Sequence, residues 1–306
     1  MAKFDAYQMV TDRICAMLEQ GIIPWNRPWA MAKTTAWSGA DGHTYSLLNQ
    51  FLLADPAKKY GSFSELMADV AGEWVTLKQC NDRGGRVKKG EHGRQIVFYT
   101  MREVDDTDKD GNPTKKKVPF LKVSTVFKIS QCDGIETKFH KDADTLYDFK
   151  ADQTADEIAA DYTTREGVTL NLVHGNRAFY SPATDSVTIP LPEQFKDSAE
   201  YYSTLFHELT HSTGHEKRLN RLSKNASFGN EDYSAEELVA EIGSCSMLAT
   251  LGIESPDSFR NSAAYIQGWL KALHNDKRMI VSAASKAEKA LKLILGIKEE
   301  NECKPA

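Results

Sequence analysis

Residues 207–215 read His-Glu-Leu-Thr-His-Ser-Thr-Gly-His, and the first five form an HExxH pattern. On a helix, residues four apart share a face, so His207 and His211 can reach one metal ion. Glu208 projects beside them, where it can take a proton from an attacking water. Zinc chemistry of this kind needs about three protein ligands and an open position. Glu236-Glu237-Leu238-Val239-Ala240-Glu241 offers a third ligand from a second helix. Glu237 and Glu241 share a face there, so one can bind metal while the other orients a histidine. The expected ion is Zn2+, with Mn2+ or Co2+ as alternatives, and the expected chemistry is metal-assisted amide hydrolysis. A longer histidine pattern, HExxHxxGxxH, fails because Lys217 stands at its last position. His215 is one turn beyond His211; it and Tyr233 are candidates for steadying the transition state. Asp106-x-Asp108-x-Asp110-Gly111 imitates the start of a calcium loop, but its twelfth position is Lys117 instead of the bidentate Glu.

A second chemistry is written in the front of the chain. Between Lys78 and Arg102 there are seven basic residues and two acids, Asp82 and Glu91. Gly84-Gly85-Arg86-Val87-Lys88-Lys89-Gly90 reads as a basic loop able to follow phosphates. Trp25, Trp29, Tyr45, Phe98 and Tyr99 are candidates for stacking on unpaired bases. Charge divides the same way. Up to Ser130 there are 19 basic and 15 acidic residues; after it there are 19 basic and 28 acidic, for a net charge of −5 over 306 residues. Four of the five tryptophans lie in the basic part. Two domains with different tasks are expected.

The elements that must position these residues follow from periodicity. Ala6, Met9, Val10, Ile14, Met17 and Leu18 give helical spacing over residues 5–20, ended by Gly21. Short helices are expected at 45–54 and 62–70, and a helix-like stretch from Trp74. Strands at 95–99 and 119–129 make a hairpin with a long polar tip. Residues 137–153 read as a linker. A helix over 154–163 follows, then strands at 168–174, 177–181 and 185–190. The last of these is the expected edge for an extended peptide. Helices near 198–214, 234–251, 256–274 and 279–295 complete an α+β chain, with domains at 1–136 and 154–306. The hydrophobic share of 41 % and charged share of 26 % exclude a disordered or fibrous class. No apolar run approaches a membrane span, and no signal-like segment opens the chain. Five scattered cysteines without a CxxC pair point to reduced thiols, and together these features predict a cytoplasmic protein without a membrane partner.

These residues resemble a family, the ArdC-type antirestriction proteins of conjugative plasmids and related mobile elements. The front-half matches are Gly21-Ile22-Ile23-Pro24-Trp25 with Arg27-Pro28-Trp29, Tyr45 with Leu48-Asn49, and Trp74-x-Thr76-x-x-Gln79. Gly85-x-Val87-x-Lys89-Gly90 and Val126-Phe127 with Gln131 extend them. The back-half matches are the run at 207–215, Arg218-Leu219-x-Arg221, Phe228-Gly229, Tyr233-x-x-Glu236 through Glu241, and Ala264-Tyr265 with Trp269. The resemblance implies a domain that binds single-stranded DNA, followed by a zincin-like (gluzincin) metallopeptidase domain. It adds Arg27, Asn49, Trp74 and Gln79 to the expected DNA contacts, beside Trp25, Trp29, Tyr45, Arg86, Lys88 and Lys89. Glu237-x-x-Ala240 also resembles the ExxA part of the ImmA/IrrE-type motif, which implies that Glu237 is the third ligand. Glu241 stands where that motif has Asn, and Ser46 where the ArdC-type pattern usually has Arg. The implied partners are single-stranded DNA and a host protein or peptide substrate. The alternative is a non-enzymatic coat on single strands whose metal is only structural.

Overall fold

The computed structural model describes residues 5–21, 23, 36–55, 58, 69–107, 113–139, 154–222, 231–253 and 263–297. Helix α1 (Ala6–Glu19) starts where the Asp5 carboxylate accepts the amides of Tyr7 and Gln8, at 3.0 and 3.2 Å. Its apolar face carries Val10, Ile14, Met17 and Leu18 inward. Strand β1 (Ala36–Ser38) and helix α2 (Leu47–Leu52) follow. Trp74 begins no helix. It sits in strand β2 (Gly72–Thr76), and helix α3 (Leu77–Asp82) starts only after it. The Thr76–Gln79 capping box fixes that boundary, because each side chain takes the other's backbone amide. Strand β3 (Arg86–Val87) leads to the long strands β4 (Arg94–Thr107) and β5 (Pro113–Lys128), and β6 (Cys132–Asp133) pairs back with β3.

The main front sheet has the order β1-β2-β5-β4, with β1 and β2 parallel and the rest antiparallel. β4 and β5 run further than their apolar residues predict, pairing as far as Thr107 with Pro113. In this stretch acidic β4 lies opposite basic β5: Asp105 pairs with Lys115, whose Nζ comes within 3.8 Å of Glu103. The expected linker begins pinned to this sheet. The Lys138 and Phe139 amides donate to buried Glu73, at 2.7 and 3.0 Å.

In the back half, α4 (Ala155–Glu166) precedes strands β7 (Thr169–Val173), β8 (Phe179–Ser181) and β9 (Ser186–Pro190). Helices α5 (Ser198–Thr213), α6 (Glu231–Thr250), α7 (Ala263–Asn275) and α8 (Met279–Ile294) follow. The sheet order is β7-β9-β8. This corrects the expectation for 185–190: β9 is the central strand, bonded to β7 along its length and to β8 over Ser186–Thr188, so that stretch is not an edge open to a peptide. Among the described residues, no helix is long and apolar enough to cross a membrane.

The cores do not follow the division of the chain. One cluster joins front-half residues such as Val10, Ile14, Leu47, Trp74 and Val97 to Leu238, Val239, Ile242, Leu273, Ile280 and Ala284. The second joins α4, β9 and α5 to Met247, Leu248, Leu291 and Ile294. Helices α6 and α8 therefore serve both. Polar ties cross the same seam: Thr11 Oγ1 donates to the Lys277 carbonyl at 2.8 Å, and Lys277 pairs with Asp5.

Candidate metal centre and nucleic-acid interface

Helix α5 starts at an Asp197 cap that accepts the Glu200 amide at 2.9 Å. It carries His207 and His211 on one face, and their Nε2 atoms lie 3.1 Å apart. Helix α6 crosses beside it and presents Glu237, whose carboxylate oxygens are 3.6 Å from His207 Nε2 and 3.5 Å from His211 Nε2. Ligand atoms of these three residues all lie within 4.8 Å of one another. Two imidazole nitrogens on one tetrahedral zinc would be about 3.3 Å apart, so the donor set fits a divalent ion. Burial opposes ionisation of Glu237, yet the two imidazoles hold its carboxyl well below the usual range.

The other nitrogen of each imidazole also faces a carboxylate. His211 Nδ1 is 3.2 Å from Glu236 Oε1, and His207 Nδ1 is 3.9 Å from Glu241 Oε1. Glu236 is gripped by Arg221, which donates to Oε2 at 3.0 Å and Oε1 at 2.9 Å. Burial raises the Glu236 pKa, but the His211 hydrogen bond and Arg221 more than offset it and keep the carboxylate ionised. Burial pushes Glu241 the other way, toward its protonated form. For His211, burial is outweighed by the Glu236 and Glu237 carboxylates, and its pKa is pushed up to about 9. The strong orienting carboxylate is thus Glu236, on His211, while Glu241 makes a longer approach to His207. Spacing alone favoured Glu241 because it shares a helical face with Glu237. It could not show Arg221, which arrives from the turn after α5.

Glu208 is buried on α5, and its charge helps raise the His211 pKa. His215 turns elsewhere. Its Nδ1 accepts the Lys217 amide at 3.2 Å and lies 4.0 Å from Asp185. Asp185, with a left-handed φ of 47°, also binds Arg218 and Tyr180. Arg218 in turn donates to the Ser212 carbonyl at 2.8 Å, clamping the end of α5 to the β8–β9 turn. Tyr233 lies in α6, but its side chain is outside the described residues.

Close approach of α5 and α6 is set by Gly243. A Cβ there would meet Thr210 Cγ2 at 2.6 Å and Oγ1 at 2.7 Å. Thr210 stands between the two metal-facing histidines, and its hydroxyl is tied to the Phe206 carbonyl at 2.7 Å. Gly243→Ala is therefore expected to destabilise the protein by about 1–3 kcal/mol through overpacking, although helix propensity alone favours alanine. Metal affinity should fall with it. A urea midpoint at or above wild type with unchanged metal titration would show that this contact sets nothing.

The expected DNA contacts separate into two groups. Trp74 is fully buried, with its Nε1 donating to the Val70 carbonyl at 2.8 Å, and Tyr45 is also in the core. Asn49 is buried and pairs with both backbone groups of Val97, each at 2.8 Å. These three are structural rather than contacts for a base, because no ring face or amide reaches solvent. Gln79 spends its carbonyl on the α3 cap. Arg86, Lys88 and Lys89 are exposed around β3, with Lys88 Nζ donating to the Ser130 carbonyl at 2.8 Å. Phe98 is half-buried against the front core, and Tyr99 is exposed. Trp25, Arg27 and Trp29 lie outside the described residues.

Comparison with known proteins decides the family. The N-terminal domain of the anti-restriction factor ArdC matches residues 4–127, and the zincin-like metallopeptidase family MPTase-PolyVal matches residues 157–286. The crystal structure of the antirestriction ArdC protein from plasmid R388 in its Mn(II)-bound form is 35 % identical. It superposes with a TM-score of 0.69, over 96 % of this chain and 98 % of that one. The chain belongs to the ArdC antirestriction family. The metal-free ArdC structure gives 34 % identity and a TM-score of 0.67. Two Escherichia coli proteins named DNA primase TraC are each 32 % identical over 96 % of this chain, which spans only 20 % and 27 % of their lengths. The uncharacterized protein y4eC of Sinorhizobium fredii is 31 % identical, with 89 % of its length covered. The α+β architecture, with an ArdC-type front and a zincin-like back, is that of the family.

Proposed function

We propose that this protein protects incoming DNA of a mobile element by binding single strands through its front half and cleaving an amide bond at the His207–His211–Glu237 centre. The observation that carries the second part is the built coordination shell: three converging donors, with His211 fixed from behind by Glu236 and Arg221. Zn2+ is the expected ion, and manganese in the plasmid R388 relative supports a divalent site. A bound ion would polarise a carbonyl and acidify a water there. Glu208, one residue beyond His207 on the same helix, accepts the water's proton and returns it to the leaving amine. Glu236 holds the His211 tautomer that leaves Nε2 free as donor. Arg218 and Asp185 keep the end of α5 in place. The front half supplies single-strand binding through exposed cations, among them Arg86, Lys88 and Lys89. Its substrate is a host protein segment held near the same DNA, so that tethering raises effective concentration.

The second reading is a coat on single strands, with a metal that only stabilises. It is favoured by α6, which joins the metal face to both cores. Glu208→Gln separates the two. It is expected to keep metal and single-strand binding while abolishing cleavage and, in transfer into a restricting host, protection of the incoming DNA. Full protection by that variant would leave the coating reading standing and remove the peptidase one.

A further inference from the structure

The buried state of Trp74 and Tyr45 leaves the question of what stacks on bases. β2 pairs with β5 only from Val126 to Lys128, whereas β4 and β5 stay paired to Thr107 and Pro113. Among the described residues, 99–107 and 113–121 thus pair only with each other, as a two-stranded ribbon. Residues opposite one another across a strand pair share a face, and alternate residues change face. One face therefore carries Thr100, Arg102 and Val104 opposite Phe120, Val118 and Lys116, with Phe98 and Lys122 at its root. Phe120 is 43 % exposed, and the Arg102 guanidinium lies 5.9 Å from its ring centroid. Lys116 and Lys122 are exposed. The sole acid of this face among the described residues is Asp106, toward the tip, while Glu103 and Asp105 point to the other face with Tyr99.

From this arrangement we infer that the Phe120–Arg102–Lys122–Lys116 face of the β4–β5 ribbon is a stacking platform for an unpaired nucleic-acid strand. The inference rests on the single-strand reading above and names its surface. An exposed aromatic ring accepts the face of any base, and a guanidinium beside it adds stacking and charge. Three cations against one acid match a phosphate backbone. Leu121, on the opposite face, is buried in the front core, whereas the exposed part of the Phe120 ring has no such burial and is open to a base. Base pairs of a duplex hide the surfaces that the ring would contact.

The test uses the full chain and a fluorescein-labelled oligothymidylate, with anisotropy read over a range of salt. Phe120→Ala is expected to weaken binding about tenfold without changing the salt slope. The pair Arg102→Ala/Lys122→Ala should flatten the slope by about 1.4, for two lost phosphate contacts on a single strand. Phe120→Trp should keep the affinity, and its emission should be quenched by the oligonucleotide, which shows that the fold is intact. If Phe120→Ala and the Arg102/Lys122 pair bind as wild type while Lys88→Ala/Lys89→Ala binds less, the ribbon assignment falls and the single-strand reading survives. If wild type binds no oligothymidylate, both fall. Equal weakening of single-strand and duplex binding by Phe120→Ala would also overturn the platform.

Discussion

Residues 1–139 produced without the back half are expected to lose cooperative folding. The front core is closed by Leu238, Val239 and Ile242 of α6, Leu273 of α7, and Ile280 and Ala284 of α8. Removing them exposes the apolar faces of α1 and α2, with a loss of about 1.5–3 kcal/mol for each large buried side chain that becomes solvated. A few such losses equal the entire stability of about 5–15 kcal/mol that a domain has. The Thr11–Lys277 hydrogen bond and the Asp5–Lys277 pair go too. Circular dichroism during urea titration checks this. A sharp transition in the fragment, matching the full chain's slope, would mean that the front half is an independent domain after all. Helix α6 carries Glu237 and also contributes to both cores, so binding of an ion at the candidate site is expected to stabilise both halves.

The second large effect concerns the ligands. His207→Ala is expected to lower metal affinity by more than about a hundredfold, because loss of an orienting partner alone costs about 10–100-fold and this change removes a donor. Glu236→Gln should fall within that smaller range: it keeps the volume but loses the charge that Arg221 holds against His211. Binding to the native state also stabilises it, by about 2.7 kcal/mol at a free ion concentration a hundred times Kd. Wild type should therefore gain thermal stability with added Zn2+, and His207→Ala should gain none. Elemental analysis and thermal denaturation with and without a chelator read both quantities. Full occupancy in His207→Ala would place the ion elsewhere.

Much of the geometry of the candidate metal site is legible from local spacing. HExxH at helical period puts His207 and His211 on one face, and an acidic helix downstream supplies a carboxylate, because a four-residue repeat is a local property of the backbone. Caps and turns were legible for the same reason: Asp197 starts α5, and the Pro182–Asp185 turn makes the β8–β9 hairpin. What sequence read wrongly is non-local. Trp74, Tyr45 and Asn49 carry the same ring and amide chemistry whether buried or exposed, and only the packing of α1, α2 and the front sheet placed them inside. Strand β9 looks like its neighbours in composition, but the return of β8 on one side and β7 on the other made it central. Arg221 had no spacing relation to Glu236. The turn after α5 and the crossing of α6, brought close at Gly243, created that contact. The amino-acid sequence by itself determined the long helices, the paired histidines and the basic front. Tertiary structure alone decided which carboxylate faces which histidine, which aromatics remain exposed, and that helices α6 and α8 contribute to both cores, because burial and long-range contact depend on how elements pack and leave no local periodicity to read.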